Sequence, residues 1–235
     1  ARNLTLTAGT GSIAFSDAVG GSLALDTLTL NQAHNVTFAS TGRVRSLAQS
    51  SQGTGVFRVD DTLTGTNGAL TINSTALDLN APLLHTGAGN ISITANSIAF
   101  PDAIQSNGGS ITLTALDGGI EAVDDGDASA AVLRTTATAN TSNASGNIVL
   151  DADNANGNGT IAVGLIDASG PDNNSGAGGA GGDITLRSDG ALTYTSLLAS
   201  GGDGTGGGGG ASGDITVVTD SASGLTVSGP IPALG

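Results

Sequence analysis

The residues best suited to chemistry in this sequence are aspartates that could bind a hard cation such as Ca²⁺. Asp151 and Asp153 are spaced like the first two ligands of an EF-hand loop, which needs oxygen ligands at positions 1, 3 and 5, glycine at 6 and glutamate at 12. Ala155, Asn156 and Ala162 occupy positions 5, 6 and 12, so the match fails at three places. The pattern favours an adventitious calcium ion over a dedicated site.

A second acidic group lies in a glycine-, serine- and alanine-rich stretch and consists of Asp124, Asp125 and Asp127. The run Gly201-Gly202-Asp203-Gly204 is similar to a calcium-roll repeat but never recurs in a nonapeptide register. We therefore expect no resident cofactor. The candidate calcium ligands are Asp124, Asp125 and Asp127 together with Asp151 and Asp153.

Catalytic constellations are hard to assemble from this chain. His34 and His85 are the only histidines, there is no cysteine, and neither histidine flanks a Gly-x-Ser-x-Gly elbow. Glycoside-cleaving enzymes need paired carboxylates on one surface. Here the aspartates, such as Asp26, Asp78 and Asp102, are predicted to lie on different strands and turns. The sequence predicts a protein that is not an enzyme.

Composition limits both the core and the partners. The 235 residues include 39 glycines, only 2% aromatic residues and no Cys, Met or Trp, while 38% are hydrophobic. A thin, repetitive core of Leu, Ile, Val and Ala fits these numbers better than disorder does. The net charge is −14, and all six basic residues are arginines. This balance opposes nucleic-acid binding, which needs clustered positive charge, and no segment predicts membrane insertion.

A repeat of 20 to 21 residues underlies the sequence. Its mark is a triplet of two apolar residues around Thr or Ser (Val149 in one copy), preceded by a small residue, Asn or Asp, with a degenerate copy near 44–47. The triplets are residues 4–6, 28–30, 70–72, 91–93, 111–113, 148–150, 184–186 and 215–217.

Each triplet is followed by a second one and then by a weaker apolar position. The second set is 13–15, 36–38, 57–59, 77–79, 98–100, 161–163, 192–194 and 225–227, and the third is Val19, Leu63, Leu83, Ile104, Ile166, Leu197 and Ile231. Alternate strand residues face opposite sides, so each triplet points two apolar side chains inward and one residue outward. Three unlike strands in a recurring order predict an all-β fold, a right-handed parallel β-helix with three sides.

The longer steps between triplets contain glycine-rich segments at about 121–146, 167–183 and 199–213, which we interpret as loops ejected at one corner. We predict one solenoid domain over 1–235 with about nine rungs. At a strand spacing of about 4.8 Å, the rod is roughly 40 Å long.

The phrases at 3–11, 18–21 and 181–186 resemble repeats of giant bacterial surface exoproteins, the filamentous-haemagglutinin-like and autotransporter-passenger β-solenoids. The resemblance covers essentially the whole chain and is specific to architecture more than to role. It implies secretion, an extracellular or cell-surface location on a Gram-negative-type bacterium, and a role in fibres or adhesion.

Two functions follow as expectations. The first is a structural fibre module that stacks head to tail with copies of itself, in tandem or between subunits. The second is an adhesin module that binds a surface ligand through its corner loops. The sequence opens on a strand phrase, and the phrases near its end lack a following first triplet that residues 1–11 would supply. Because the corner loops are poor in aromatic and charged anchors, the sequence favours the fibre.

Overall fold

The computed structural model describes residues 2–49, 52–122, 131–154 and 156–220, and throughout these residues every strand pairing is parallel. In chain order the first strands are β1 (Leu4–Thr7), β2 (Ile13–Phe15), β3 (Leu25–Gln32), β4 (Val36–Phe38), β5 (Gly42–Gln49), β6 (Val56–Val59), β7 (Leu63–Gly65), β8 (Leu70–Asn73), β9 (Ala76–Leu79), β10 (Leu83–His85) and β11 (Ile91–Ala95). The remaining strands are β12 (Ser97–Phe100), β13 (Ile104–Gln105), β14 (Ile111–Ala115), β15 (Ile120–Ala122), β16 (Val132–Arg134), β17 (Ile148–Ala152), β18 (Ile161–Asp167), β19 (Ile184–Ser188), β20 (Leu192–Leu198) and β21 (Ile215–Thr219). The protein is a parallel β-helix, as the sequence predicted.

The first face of the helix stacks the predicted triplets in register. Leu4 pairs with Leu28, and Ile91 lies between Leu70 and Ile111. The degenerate copy also takes its place, because Leu47 pairs with Leu28 on one side and Leu70 on the other. Nine strands form this face in the described residues: β1, β3, β5, β8, β11, β14, β17, β19 and β21. The predicted count of about nine rungs is confirmed on this face.

The second and third faces follow the same order, with two positions that the sequence analysis missed. Ile120 pairs with Ile98 and Ile161 on the second face, and Leu133 pairs with Ile104 and Ile166 on the third. Residues Val132–Arg134, which follow the undescribed residues 123–130, therefore belong to the coil. The predicted phrases at 225–227 and Ile231 lie outside the described residues.

The core is a set of apolar columns along the axis of the helix. Inward residues such as Leu28, Ile91 and Ile111 are fully buried, whereas the residue between two inward neighbours, such as Thr112, is partly exposed. This alternation follows from strand geometry, and stacking the rungs buries each inward side chain against those above and below.

Among the described residues, the two later glycine-rich segments lie at the predicted corner, between the third face and the next first face, and they pack against the coil and against one another. The segment 121–146 contains the end of β15, all of β16 and the buried residues Thr135 and Ala137. The segments 167–183 and 199–213 lie on one another and continue the rung stacking beyond the third face. The two later loops therefore lie at the predicted corner, and they pack on one another instead of extending separately into solvent.

Backbone hydrogen bonds hold the two later segments together. The N–H groups of Gly170, Asn173, Gly178 and Gly181 donate to the carbonyl groups of Ser200, Asp203, Gly208 and Ala211, respectively, at 2.7–3.0 Å. Glycine permits this approach because a Cβ at Gly178 would overlap the carbonyl group of Gly202. We call these two stacked segments, residues 170–181 and 200–211, the glycine layers. Their composition reflects close packing of backbone on backbone rather than a need for flexible tethers.

Candidate functional site

The predicted calcium ligands do not form a cation cage in the part of the chain that the structure describes. Asp151 is the next-to-last residue of the first-face strand β17, and its carboxylate accepts the N–H of Asp153 at 3.2 Å. No group of three or more His, Asp or Glu side chains in the described ranges is arranged to hold a metal ion. Asp124, Asp125 and Asp127 lie outside those ranges, so calcium binding there stays a prediction.

The segment after Asp151 is held by side chains from two neighbouring rungs. Asn156 donates its amide to the carboxylate of Asp117 at 2.6 Å, and Asn154 donates to the carbonyl of Gly118 at 3.2 Å. On the other side, the carboxylate of Asp189 accepts the N–H groups of Gly157 and Gly159 at 2.8 and 2.7 Å. Asn154 and Asn156 of the suggested calcium loop therefore fasten this turn to one neighbouring rung, and Asp189 fastens it to the other.

The pKa of Asp189 is lowered by the N–H groups that its carboxylate accepts. Partial desolvation alone would raise the pKa, but the N–H groups of Gly157 and Gly159 favour the ionised carboxylate and hold its pKa below the ordinary value. The carboxylate is exposed enough to remain charged at neutral pH. Asp189 therefore serves as the hydrogen-bond acceptor for the turn at Gly157 and Gly159.

The two histidines are far apart in the rung order and have different surroundings. His34 is exposed and hydrogen bonds to the Thr54 hydroxyl at 2.9 Å. His85 is buried at the end of β10, with Nε2 2.6 Å from the Gly68 carbonyl oxygen and Nδ1 2.7 Å from that of Gly87. Buried polar side chains need such partners. His85 thus hydrogen bonds to backbone groups of Gly68 and Gly87 at a corner.

One charged cluster was missed by the sequence analysis. Arg58 on β6 contacts Asp60 at 2.6 Å and Asp78 of the next rung at 3.4 Å, and Asn80 donates to Asp60 at 2.8 Å. The pKa of Asp60 lies below its ordinary value. The hydrogen bond from the Asn80 amide lowers it most, the Arg58 guanidinium lowers it further, and some desolvation opposes them. The 20-residue step from Asp60 to Asn80 was a signal for this contact. The cluster is largely exposed, and exposed ion pairs stabilise proteins only weakly.

A column of glycines precedes the first face. Each lies two residues before the start of its strand, where the chain turns into the first face. From Gly89 onward a Cβ would overlap the carbonyl group of the glycine one rung below, whereas a Cβ on Gly68 would crowd the Cβ of Ser46. The corner column comprises Gly68, Gly89, Gly109, Gly146, Gly182 and Gly213. In the first three rungs the same register position holds Arg2, Asp26 and Arg45. The sequence analysis missed this position, although a glycine recurs two residues before six of the first-face triplets.

Beside the glycines runs a ladder of polar side chains, which we call the capping ladder: Asn90, Ser110, Asn147, Asp183 and Asp214. Each side-chain oxygen accepts the backbone N–H of the next member, from Ser110 onto Asn90 at 2.9 Å to Asp214 onto Asp183 at 2.9 Å. Asp214 is the last member in the described residues. Within those residues no N–H donates to its carboxylate, so this acceptor faces outward at the end of the ladder.

The edge at β1 is open within the described residues. β1 pairs only with β3, and its inward residues Leu4 and Leu6 are partly exposed, whereas Leu28 and Leu30 of the next rung are fully buried. Phe15 is also partly exposed, although its ring stacks on Phe38 at a centroid distance of 4.5 Å. The apolar columns of the core therefore reach the surface at this end.

The backbone of β1 fixes which groups point outward. The Arg2 carbonyl accepts the N–H of Asp26, and the Ala8 N–H donates to Gln32, so Arg2 and Ala8 both face the second rung. Backbone groups alternate sides along a strand, so the N–H and C=O of Asn3 and Thr5 face the opposite, open side. An unpaired strand edge of this kind recruits other strands.

The edge at β21 has the complementary arrangement. Asp214 accepts the Ile184 N–H through its carbonyl at 2.8 Å, so its backbone faces the rung below. By alternation, the backbone groups of Ile215 and Val217 face away from β19. Ile215 and Val217 are partly exposed, unlike their register partners Ile184 and Leu186, which are fully buried.

No family model, no curated protein and no solved structure matches this chain. In the described residues, no helix is long and apolar enough to cross a bilayer.

Proposed function

We propose that this chain is a structural module of an extracellular β-solenoid rod that lengthens by stacking head to tail with copies of itself, in tandem or between subunits. The observation that carries the proposal is the β1 edge, which no described residue covers and where Leu4, Leu6 and Phe15 end apolar columns that are fully buried one rung further in. Covering these residues with another rung removes apolar surface from water and pairs the backbone groups of the edge.

The absence of a metal cluster in the described residues is compatible with a structural role but does not carry it. More direct support comes from how the chemistry-bearing residues are used. Asp189 and His85 hold backbone groups of the rod, and Arg58 links neighbouring rungs. These side chains serve the regularity of the stack. The extracellular location is proposed from the resemblance to bacterial exoprotein repeats.

A groove across the glycine layers supports the second candidate, an adhesin module. It has a volume of about 670 Å³, and hydroxyl, carboxylate and prolyl groups line it, among them Thr136, Pro171, Asp172, Ser200, Asp203 and Ser212. Without an aromatic platform it suits a polar surface ligand bound weakly. Binding of the chain to immobilised glycans, lost on replacing Ser200 and Ser212 together by leucine, would favour this function.

The fibre proposal is tested by blocking the β1 edge. Thr5→Pro removes an N–H that faces the open side and makes no contact with the second rung, so the fold tolerates it better than an interior proline. The matched control is Thr5→Val, which keeps the N–H. Electron microscopy and light scattering of the wild-type chain and Thr5→Val should show rods that lengthen with concentration, in steps of roughly 40 Å for nine rungs.

Thr5→Pro should remain short and monomeric while keeping the melting temperature of Thr5→Val. A wild-type chain that stays monomeric at high concentration would contradict stacking between subunits. The same chain joined to a second copy in one polypeptide then tests the tandem form, which should melt at a higher temperature than the single unit. An unchanged melting temperature would reject the proposal altogether.

A further inference from the structure

We propose that the β21 edge of one copy docks on the β1 edge of the next in the register of the internal rungs, with the Asp214 carboxylate accepting the N–H of Asn3. The inference rests on the proposed function and adds to it a direction, a register and one residue that fixes them. The partner is a second copy of this chain.

The backbone groups of the two edges match in direction. Asn3 and Thr5 present their N–H and C=O groups away from the second rung, and Ile215 and Val217 present theirs away from β19. Inside the protein, Ile184 donates its N–H to the Asp214 carbonyl across the same rung step. By the same geometry, Ile215 donates to the Asn3 carbonyl of the docked copy. Parallel pairing therefore continues without a change in pattern.

The capping ladder sets the register. Its members each lie one residue before a first-face strand, and each accepts the backbone N–H of the member above. Asn3 holds the same position before Leu4, and its N–H faces the open side. Placing Leu4 over Ile215 brings that N–H to the Asp214 carboxylate, as Asp214 itself sits on Asp183.

The same register continues the side-chain columns. Leu4 and Leu6 cover Ile215 and Val217, the partly exposed ends of the apolar columns. Thr5 falls over Thr216, just as it falls over Thr29 within the chain. A shift by one residue would place apolar side chains outward and threonine inward, so register is strongly specified.

Charge gives the stack its direction. Residues 1–61 contain four arginines and four aspartates and are neutral, whereas residues 62–235 carry two arginines, sixteen acidic residues and thus the whole charge of −14. At physiological salt the screening length is about 8 Å, which spans roughly two rungs. Joining two acidic ends brings like charges within that length. Joining an acidic end to the neutral end that carries Arg2 avoids the repulsion.

The register is tested by disulfide crosslinking, since the native chain contains no cysteine. A chain with Thr5→Cys and Thr216→Cys places the two thiols in neighbouring rungs of adjacent copies, within the separation that a disulfide spans. Mild oxidation should convert it into a ladder of covalent multimers. The control pair, Thr5→Cys with Val218→Cys, is displaced by two residues and should crosslink at least tenfold more slowly.

The outcomes separate this inference from the proposed function. Rods that form while Thr5–Thr216 crosslinking fails, or while Thr5–Val218 crosslinking is faster, overturn the register and leave the fibre proposal standing. Covalent dimers from Thr5→Cys alone show head-to-head contact and overturn the direction. A chain that neither forms rods nor crosslinks at any pair overturns this inference and stacking between subunits, and the melting comparison of the single and joined chains then decides the tandem form.

The role of Asp214 is tested by its replacement with leucine and with asparagine. Asp214→Leu removes the acceptor and should weaken assembly roughly tenfold or more, as expected for a lost hydrogen bond to a charged group. Asp214→Asn keeps an acceptor oxygen, like Asn147, and should restore most of the affinity. Asp220→Asn removes the same charge nearby and should have little effect. Equal losses in Asp214→Asn and Asp214→Leu would show that charge alone acts, and no loss in either would exclude Asp214.

Discussion

Gly146 lies directly above Gly109 in the corner column, so closely that a Cβ on Gly146 would overlap the Gly109 carbonyl group. The neighbouring rung repeats the relationship, because a Cβ on Gly182 would overlap the carbonyl group of Gly146. Both contacts involve backbone, which cannot rotate away as a side chain can. The turn into the first face is therefore built for glycine.

Gly146→Ala should destabilise the protein by about 1–3 kcal/mol, the usual effect of overpacking a close contact. Chemical denaturation followed by circular dichroism measures the change. Gly21→Ala is the matched control, since a Cβ there meets no atom within 4 Å. Equal denaturation midpoints for the two variants would show that the backbone at this corner shifts to accommodate the added Cβ at little cost.

Ile111→Asp should unfold several rungs, because Ile111 is fully buried between Ile91 and Ile148 and an unpaired buried charge costs several kcal/mol. Thr112→Asp, one residue on, keeps its side chain on the outer surface and should change stability by less than about 1 kcal/mol. Thermal melting of the two variants provides the comparison. A similar loss in both would mean that the strand does not alternate as described.

Deletion of residues 201–212 should destabilise the rod by roughly 2–4 kcal/mol. The deletion removes the partners of Asn173, Gly178 and Gly181, and each net backbone hydrogen bond contributes about 1 kcal/mol. If the segment were a free loop, its removal would change stability by less than about 1 kcal/mol, because loop closure depends weakly on length. Urea denaturation distinguishes the two cases.

The turn at Gly157 and Gly159 should loosen in acid. The folded pKa of Asp189 is below its unfolded value, so its contribution to stability is present above about pH 4 and is lost as the pH falls through the folded pKa. The amide resonances of both glycines should titrate together in this range. Asp189→Asn should abolish that titration, and its stability deficit relative to wild type should shrink as the pH falls below 4. A deficit independent of pH would contradict an ionised acceptor.

Most of the rung order could be predicted from sequence because first-face triplets repeat almost unchanged. Leu70, Ile91 and Ile111 follow at steps of 21 and 20 residues, and the structure stacks them as expected. Ile120 and Leu133 were missed because the glycine-rich stretch around them carries few apolar residues. These two residues pair with strands of the neighbouring rungs, which are distant in the sequence, and the local residue pattern does not reveal such pairing.

The candidate sites were less predictable for a related reason. Asp151, Asp153 and Asn156 have the residue types of a calcium loop, but types alone do not say which N–H groups lie within reach. Asp117 and Asp189 come from neighbouring rungs and bind the turn, and only the register of those rungs places them there. The Arg58 cluster arises in the same way, from a contact across one rung.

The sequence by itself determined the period, the parallel β-helix and the inward positions, because alternation and repeat length act locally along each strand. The tertiary structure decided what the glycines do. From composition alone, Gly178 and Gly210 look like sites of chain flexibility. The stacking instead brings backbone against backbone at both positions, where only a residue without a Cβ fits. Among the described residues, the tertiary structure also decided which backbone and side-chain groups at β1 and Asp214 have no partner, because partners come from the neighbouring rung.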